Sequence, residues 1–259
     1  SLRAALQGNG DIAVGNVVGS NIANICLILA LGALLRPMAA AAQVLKVEAP
    51  LALGASVLLV GMLLDGGLAR WEGALLFAGI VVYTTAAVVL ARKEPPAIRE
   101  EFETGIPASR AGLGLLVPLV LGGLVLLVLG ARLFLSGATF LAREAGISEA
   151  FIGLSLVAVG TSLPERVTTV LAAWKGEADI AVGNVVGSNL FNVLGILGLS
   201  ALAAPIEIRG IAPLDLAALV LSGALLLPVL FTGRRVTRPE GVAFLALYAI
   251  YLAARAASG

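Results

Sequence analysis

The eleven residues DIAVGNVVGSN occur twice, at Asp11–Asn21 and at Asp179–Asn189, separated by an offset of 168. No other feature restricts the fold of this chain as strongly. The register continues past the identity without a gap: Asn24 matches Asn192, Pro37 matches Pro205, Glu72-Gly73 matches Glu240-Gly241, and Tyr83 matches Tyr251. Two halves descended from one unit explain this agreement, and the fold must lay down the same order of elements twice.

Those elements are membrane helices. Of 259 residues, 59% are hydrophobic and 13% charged, where a soluble domain carries roughly 25% charged residues. Charges fall between apolar stretches long enough to cross a bilayer. Eight complete spans are read, at 12–35, 47–64, 71–91, 112–135, 147–174, 180–204, 211–231 and 242–254, with a stub over 1–7 before them. Gly and Pro mark the joins, as at Arg36-Pro37, Gly66-Gly67 and Arg238-Pro239. Strand alternation of the kind a barrel needs is absent from the sequence. The expected class is an all-α polytopic membrane protein.

Five crossings separate the two copies of the motif, and an odd number means that they enter the membrane in opposite directions. The expected architecture is therefore two inverted-topology five-helix repeats, an arrangement typical of secondary transporters with a midplane site between the halves. The offset matches Ser1 to Thr169, which puts the partner of Gly160–Glu165 upstream of Ser1, with the partner of Glu165 itself four residues before the chain begins. The chain is expected to be N-terminally truncated. Its expected organisation is a first repeat over 1–92, a linker loop over 93–111 and a second repeat over 112–259.

With that loop placed in the cytoplasm, ten basic residues fall on its side of the membrane and five on the other, in agreement with the positive-inside rule. The absence of His removes imidazole metal sites and His-based acid–base chemistry. A single cysteine, Cys26, removes disulfide frameworks and thiolate clusters. The net charge of +1 carries no basic footprint for nucleic acid. Neither a signal peptide nor an enzyme is read from the sequence, which offers no metal triad or buried nucleophile–base pair.

Glu165 is the carboxylate set deepest in an apolar span, where a charge costs about 2.5–3.5 kcal/mol on insertion scales. Pro164 cannot donate to the carbonyl of Gly160, and the span is long enough for a broken helix. Freed carbonyls, the hydroxyls of Thr161 and Ser162, and the Glu165 carboxylate are then expected to face one point. Hard cations such as Na⁺ and Ca²⁺ take oxygen ligands of this kind. On the following span Asn184, Ser188 and Asn192 are spaced four apart, and Asn16, Ser20 and Asn24 repeat the row in the first half. Gly183/Gly187 and Gly15/Gly19 form small-xxx-small pairs for close helix approach. Structural readings stand beside these: Ser162-x-x-Glu165 fits a capping box, and Asn/Ser rows can serve as helix–helix glue. Asp11 and Asp179 are expected to cap their helices at the interface, and Glu48, Glu72, Asp215 and Glu240 to face solvent near span ends.

GTSLPE at Gly160–Glu165, with DIAVGNVVGSN and Phe191-Asn192, closely resembles the second α-repeat of the calcium/cation antiporter superfamily, nearest to its bacterial sodium/calcium exchanger-like branch. Asp11–Asn24 resembles the latter part of the first α-repeat. The resemblance implies an antiporter built from two inverted five-helix halves, exchanging Ca²⁺ for Na⁺ or H⁺ by alternating access in a bacterial inner (plasma) membrane. It implies that Glu165 is a central ligand shared by Ca²⁺ and the counter-ion. Thr161 and Ser162 would add side-chain oxygens and Ala158 a carbonyl, while Ser188 and Asn192, with Ser20 and Asn24, would line the ion sites. No cofactor is implied; Ca²⁺ and Na⁺ (or H⁺) are substrates and the bilayer is the solvent. Two departures bear on the chemistry. Asn stands at both position 24 and position 192, where some exchangers have one Asp, and Arg166 follows Glu165 where an apolar residue is common. The expected function is Ca²⁺/Na⁺ antiport, with Ca²⁺/H⁺ antiport and a passive cation channel as alternatives.

Overall fold

The computed structural model describes residues 1–92, 113–144 and 163–258. In chain order the helices are α1 (Leu2–Leu6), α2 (Gly10–Leu35), α3 (Val44–Asp65), α4 (Arg70–Arg92), α5 (Leu113–Glu144), α6 (Leu163–Lys175), α7 (Ala178–Ala203), α8 (Pro213–Gly233) and α9 (Arg238–Ser258). All but α1 and α6 are long and apolar enough to cross a membrane. Seven of the eight expected spans are thus present. The eighth, expected over 147–174, lies mostly outside the described residues, and its last part is α6.

The repeat holds at the level of single residues. Shifting the bounds of α2 by 168 gives the bounds of α7, and the same shift carries α3 onto α8 and α4 onto α9. Both α2 and α7 contain a π-helical turn, at Asn24–Leu29 and Phe191–Leu197. A π turn inside an α-helix widens the coil and often marks a functional position.

Four two-residue strands establish the inversion. β1 (Met38–Ala39) pairs with β4 (Arg235–Val236), and β2 (Gly67–Leu68) pairs with β3 (Ile206–Glu207), both antiparallel. Under the shift of 168, the Met38–Val236 pairing maps onto the Ile206–Leu68 pairing, register included. The connection after α2 therefore shares one end of the molecule with the α8–α9 connection, and the connection after α7 shares the other end with the α3–α4 connection. Corresponding features lie at opposite ends, as inverted repeats require.

Most of α2 and α7 is buried, whereas the apolar stretch of α5 is not buried at all. The two motif helices form the core: Val14, Val17 and Val18 are buried along with their counterparts Val182, Val185 and Val186. Around them α4 packs on the last segment of α7, and α9 on the last segment of α2. Glycine makes these contacts close. A Cβ on Gly73 would collide with the backbone of Ala201 and Leu202, and one on its counterpart Gly241 would lie 2.9 Å from the carbonyl of Ala30.

Several acidic residues expected in solvent are instead turned inward. Glu72 is 6% exposed and accepts the N–H of Ala69 at 2.8 Å. Glu240, its counterpart, accepts the N–H and hydroxyl of Thr237 at 2.7 and 2.6 Å. Each is the third residue of its helix and reaches back to the residues before it, which satisfies donors that a helix start leaves open. Asp215 is 7% exposed, accepts the N–H of Ala212 and the hydroxyl of Tyr251 at 2.9 Å, and pairs with Arg255. Glu48 is half-buried, accepts the side-chain N–H of Gln43 at 3.1 Å and lies near Tyr83, the counterpart of Tyr251. Asp11 was expected to cap its own helix. Its carboxylate instead accepts the N–H groups of Arg209 and Gly210, at 2.8 and 2.9 Å, from the loop that follows β3 in the other repeat.

Candidate functional site between the two motif helices

On α2, Asn21 and Asn24 are three residues apart and so share a face; Asn189 and Asn192 do the same on α7. The two faces meet. Asn21 donates its Nδ2 to the backbone carbonyl of Asn189 at 3.0 Å, and Asn189 donates its Nδ2 to the backbone carbonyl of Asn21 at 3.1 Å. Asn24 Nδ2 donates to Asn189 Oδ1 at 2.9 Å, and Asn192 Nδ2 donates to Asn21 Oδ1 at 2.9 Å. The four bonds form two symmetric pairs under the 168-residue shift. An unbonded amide buried away from water costs about 1–3 kcal/mol in proteins, and here each amide donor has an acceptor from the opposite repeat.

This network dictates which way each amide faces. A backbone carbonyl can only accept, so Asn189 must turn its nitrogen to Asn21 and present its oxygen to Asn24. Asn24 in turn must donate, and its own Oδ1 is left on the side away from Asn189. The same sequence through Asn21 leaves Oδ1 of Asn192 facing away from Asn21. Where the two motif helices meet, the network thus leaves two carboxamide oxygens, one per repeat, at the start of the two π turns. Ser20 and Ser188 sit one residue before the bonded asparagines; Ser20 is buried and Ser188 half-buried.

Asn24 and Asn192 are thus tied to the opposite motif helix, while Ser20 and Ser188 stand four residues before them on α2 and α7. Of the first members of the expected rows, Asn16 donates to the hydroxyl of Ser1 at 3.2 Å and Asn184 to that of Thr169 at 2.7 Å. Ser1 and Thr169 are counterparts, so this contact is also duplicated. Glu165 lies in the first turn of α6, which packs on α7 and on the second half of α2. Ala158, Thr161 and Ser162 fall outside the described residues. Arg166 is 3% exposed, so it stays inside the protein rather than extending to the interface.

Asn21 and Asn189 are the residues that reasoning from spacing passed over. The row at intervals of four selects Asn16, Ser20 and Asn24 and skips Asn21. The interval of three, from the last residue of the repeated motif to the next asparagine, carries the signal. Among the described residues no three of His, Cys, Asp and Glu cluster to hold a metal. What this part of the site offers is neutral: amide and hydroxyl oxygens, ligands suited to hard cations.

Comparison with known proteins identifies the family. The family described as sodium/calcium exchanger protein matches residues 1–89 and 115–257. CaxA of Alkalimonas amylolytica is 38% identical over 257 residues, covering 97% of this chain and 80% of CaxA. The sodium/calcium exchanger MaX1 of Methanosarcina acetivorans is 32% identical, over 97% of this chain and 82% of its own. A solved structure of the sodium-calcium exchanger NCX_Mj, soaked with Na⁺ and Sr²⁺, superposes with a TM-score of 0.79 at 28% identity, covering 97% of this chain and 79% of that one. With a family match across both repeats and the inverted fold reproduced, the chain belongs to the sodium/calcium exchanger family of integral membrane antiporters.

Proposed function

We propose that this protein exchanges Ca²⁺ for Na⁺ by alternating access, with the two cations competing for one shared site near the membrane midplane. The observation that carries the reading is the cross-repeat asparagine network, which turns the oxygens of Asn24 and Asn192, rather than their N–H₂ groups, outward on each side. Carboxamide oxygens can share in coordinating either cation and exclude neither by charge. In this reading Glu165 supplies the negative charge, Thr161 and Ser162 their hydroxyls, Ala158 a carbonyl, and Ser20 and Ser188 complete the shell. The repeats over 1–92 and 112–259 are joined by a cytoplasmic loop over 93–111, and the protein sits in a bacterial inner membrane.

Either cation offsets the negative charge of Glu165, and an occupied site can then be carried across by rocking of one part against the other. An empty site retains its charge in a low-dielectric environment, which opposes the same motion. Competition at shared ligands gives exchange without leak. The test is ⁴⁵Ca²⁺ uptake by the protein reconstituted in Na⁺-loaded liposomes, diluted into Na⁺-free medium, beside Glu165→Gln. Uptake that requires internal Na⁺ and falls at least 100-fold in Glu165→Gln is the expected result. Uptake driven by a pH gradient alone assigns H⁺ as the counter-ion in place of Na⁺. Flux that continues with no counter-ion on the opposite side makes the protein a channel and overturns antiport.

A further inference from the structure

The geometry points to Asn21 and Asn189 as positioning residues: each holds the ion-facing amide of the other repeat with its oxygen toward the site, so the α2 half of the site is set by α7 and the α7 half by α2. This rests on the proposed reading of Asn24 and Asn192 as ion-facing groups and extends it to two residues whose amides are engaged by the opposite repeat.

Asn189 Oδ1 is the acceptor for Asn24 Nδ2, and Asn189 is itself held by donating to the carbonyl of Asn21. Without that acceptor the Asn24 side chain keeps no partner in the network that tells its nitrogen from its oxygen. The amide can then rotate about its terminal torsion and present its N–H₂, a donor that repels a cation, about as readily as its oxygen. The inverse holds for Asn21 and Asn192. The orientation is reciprocal, because each positioning asparagine donates to the backbone of the other. A simple packing role would need one such contact; it would not need both amides to be anchored on backbone acceptors in the only orientation that leaves an oxygen for the next asparagine.

A double-mutant cycle tests this, because residues that act through one another are non-additive. The KM for Ca²⁺ is measured in Na⁺-loaded liposomes for the wild type, Asn189→Leu, Asn24→Leu and the double variant, with monodispersity in detergent as the control for folding. The expected result is a rise of about tenfold in KM for Asn189→Leu, a similar or larger rise for Asn24→Leu, and no further rise in the double variant. Fully additive rises in KM, or a fall in kcat with KM unchanged in Asn189→Leu, would overturn the assignment while leaving exchange intact. Absence of Na⁺- or pH-driven uptake in the wild type would instead remove the underlying reading. Should Asn189→Leu fail to fold, the symmetric cycle of Asn21→Leu with Asn192→Leu and the milder Asn189→Ser read the same coupling.

Discussion

A carboxamide carries its donor and its acceptor on separate atoms, and the centre of this molecule uses both at Asn21 and Asn189. An aspartate at either position keeps the acceptor and loses the donor. We therefore expect Asn21→Asp to leave the carbonyl of Asn189 without its side-chain partner and to destabilise the protein by about 1–3 kcal/mol, the usual cost of stranding a buried polar group, read as a lowered unfolding temperature in detergent. Asp215 offers a second test at this scale, since it joins the start of α8 to Tyr251 and Arg255 on α9. Tyr251→Phe removes one hydrogen bond and is expected to cost roughly 0.5–1.5 kcal/mol, whereas Asp215→Ala strips partners from three groups and should lower the unfolding temperature further. The reverse order would show that Asp215 is not the hub of this contact. These inward-turned carboxylates were hidden in the sequence, because a residue two or three positions from a helix start can face water or reach back to cap it. Only the packing of the preceding turn decides.

At the scale of elements, the closest contacts are those at Gly73 and Gly241, where α4 and α9 meet the last segments of α7 and α2. Added methyl groups there meet backbone atoms, which cannot swing aside. Gly73→Ala and Gly241→Ala are each expected to destabilise by about 1–3 kcal/mol, the range for overpacking. Gly122→Ala on α5, where a Cβ meets nothing within 4 Å, is the control; it should be neutral or stabilise by about 0.5–1 kcal/mol, since alanine loses less entropy in a helix. Equal losses at all three positions would contradict the close-approach account. The long helices were legible because twenty apolar residues in a row leave few alternatives. The π turns at Asn24–Leu29 and Phe191–Leu197 were not, because one extra residue in a turn leaves no mark in an apolar run. Strands of two residues are likewise too short for any alternation to register.

For the whole molecule, the decisive fact is inversion, and it was legible in full: an eleven-residue identity with an odd number of crossings between its copies admits little else. What the sequence left open was how the halves interlock. The structure answers with contacts that cross between repeats, the β1–β4 and β2–β3 pairs and Asp11 on the loop after β3, each joining one half to the other. In a Cys26→Ala background, Ala39→Cys with Arg235→Cys is expected to cross-link on mild oxidation, because the two are paired partners at one end of the molecule. A membrane-impermeant thiol reagent should label Arg235→Cys and Glu207→Cys from opposite sides of the bilayer. Labelling of both from one side would contradict the inverted architecture.

The central proposal is that Ca²⁺ and Na⁺ occupy one shared site in turn, with the carboxamide oxygens of Asn24 and Asn192 among its ligands. Equilibrium binding of ⁴⁵Ca²⁺ to the purified protein, titrated with Na⁺ at constant ionic strength and pH, tests it most directly. The account predicts that Na⁺ raises the apparent Kd for Ca²⁺ without limit until Ca²⁺ is fully displaced, with the number of Ca²⁺ sites unchanged. A Kd that levels off at saturating Na⁺ would mean that both cations bind together, and would contradict exchange through a shared site.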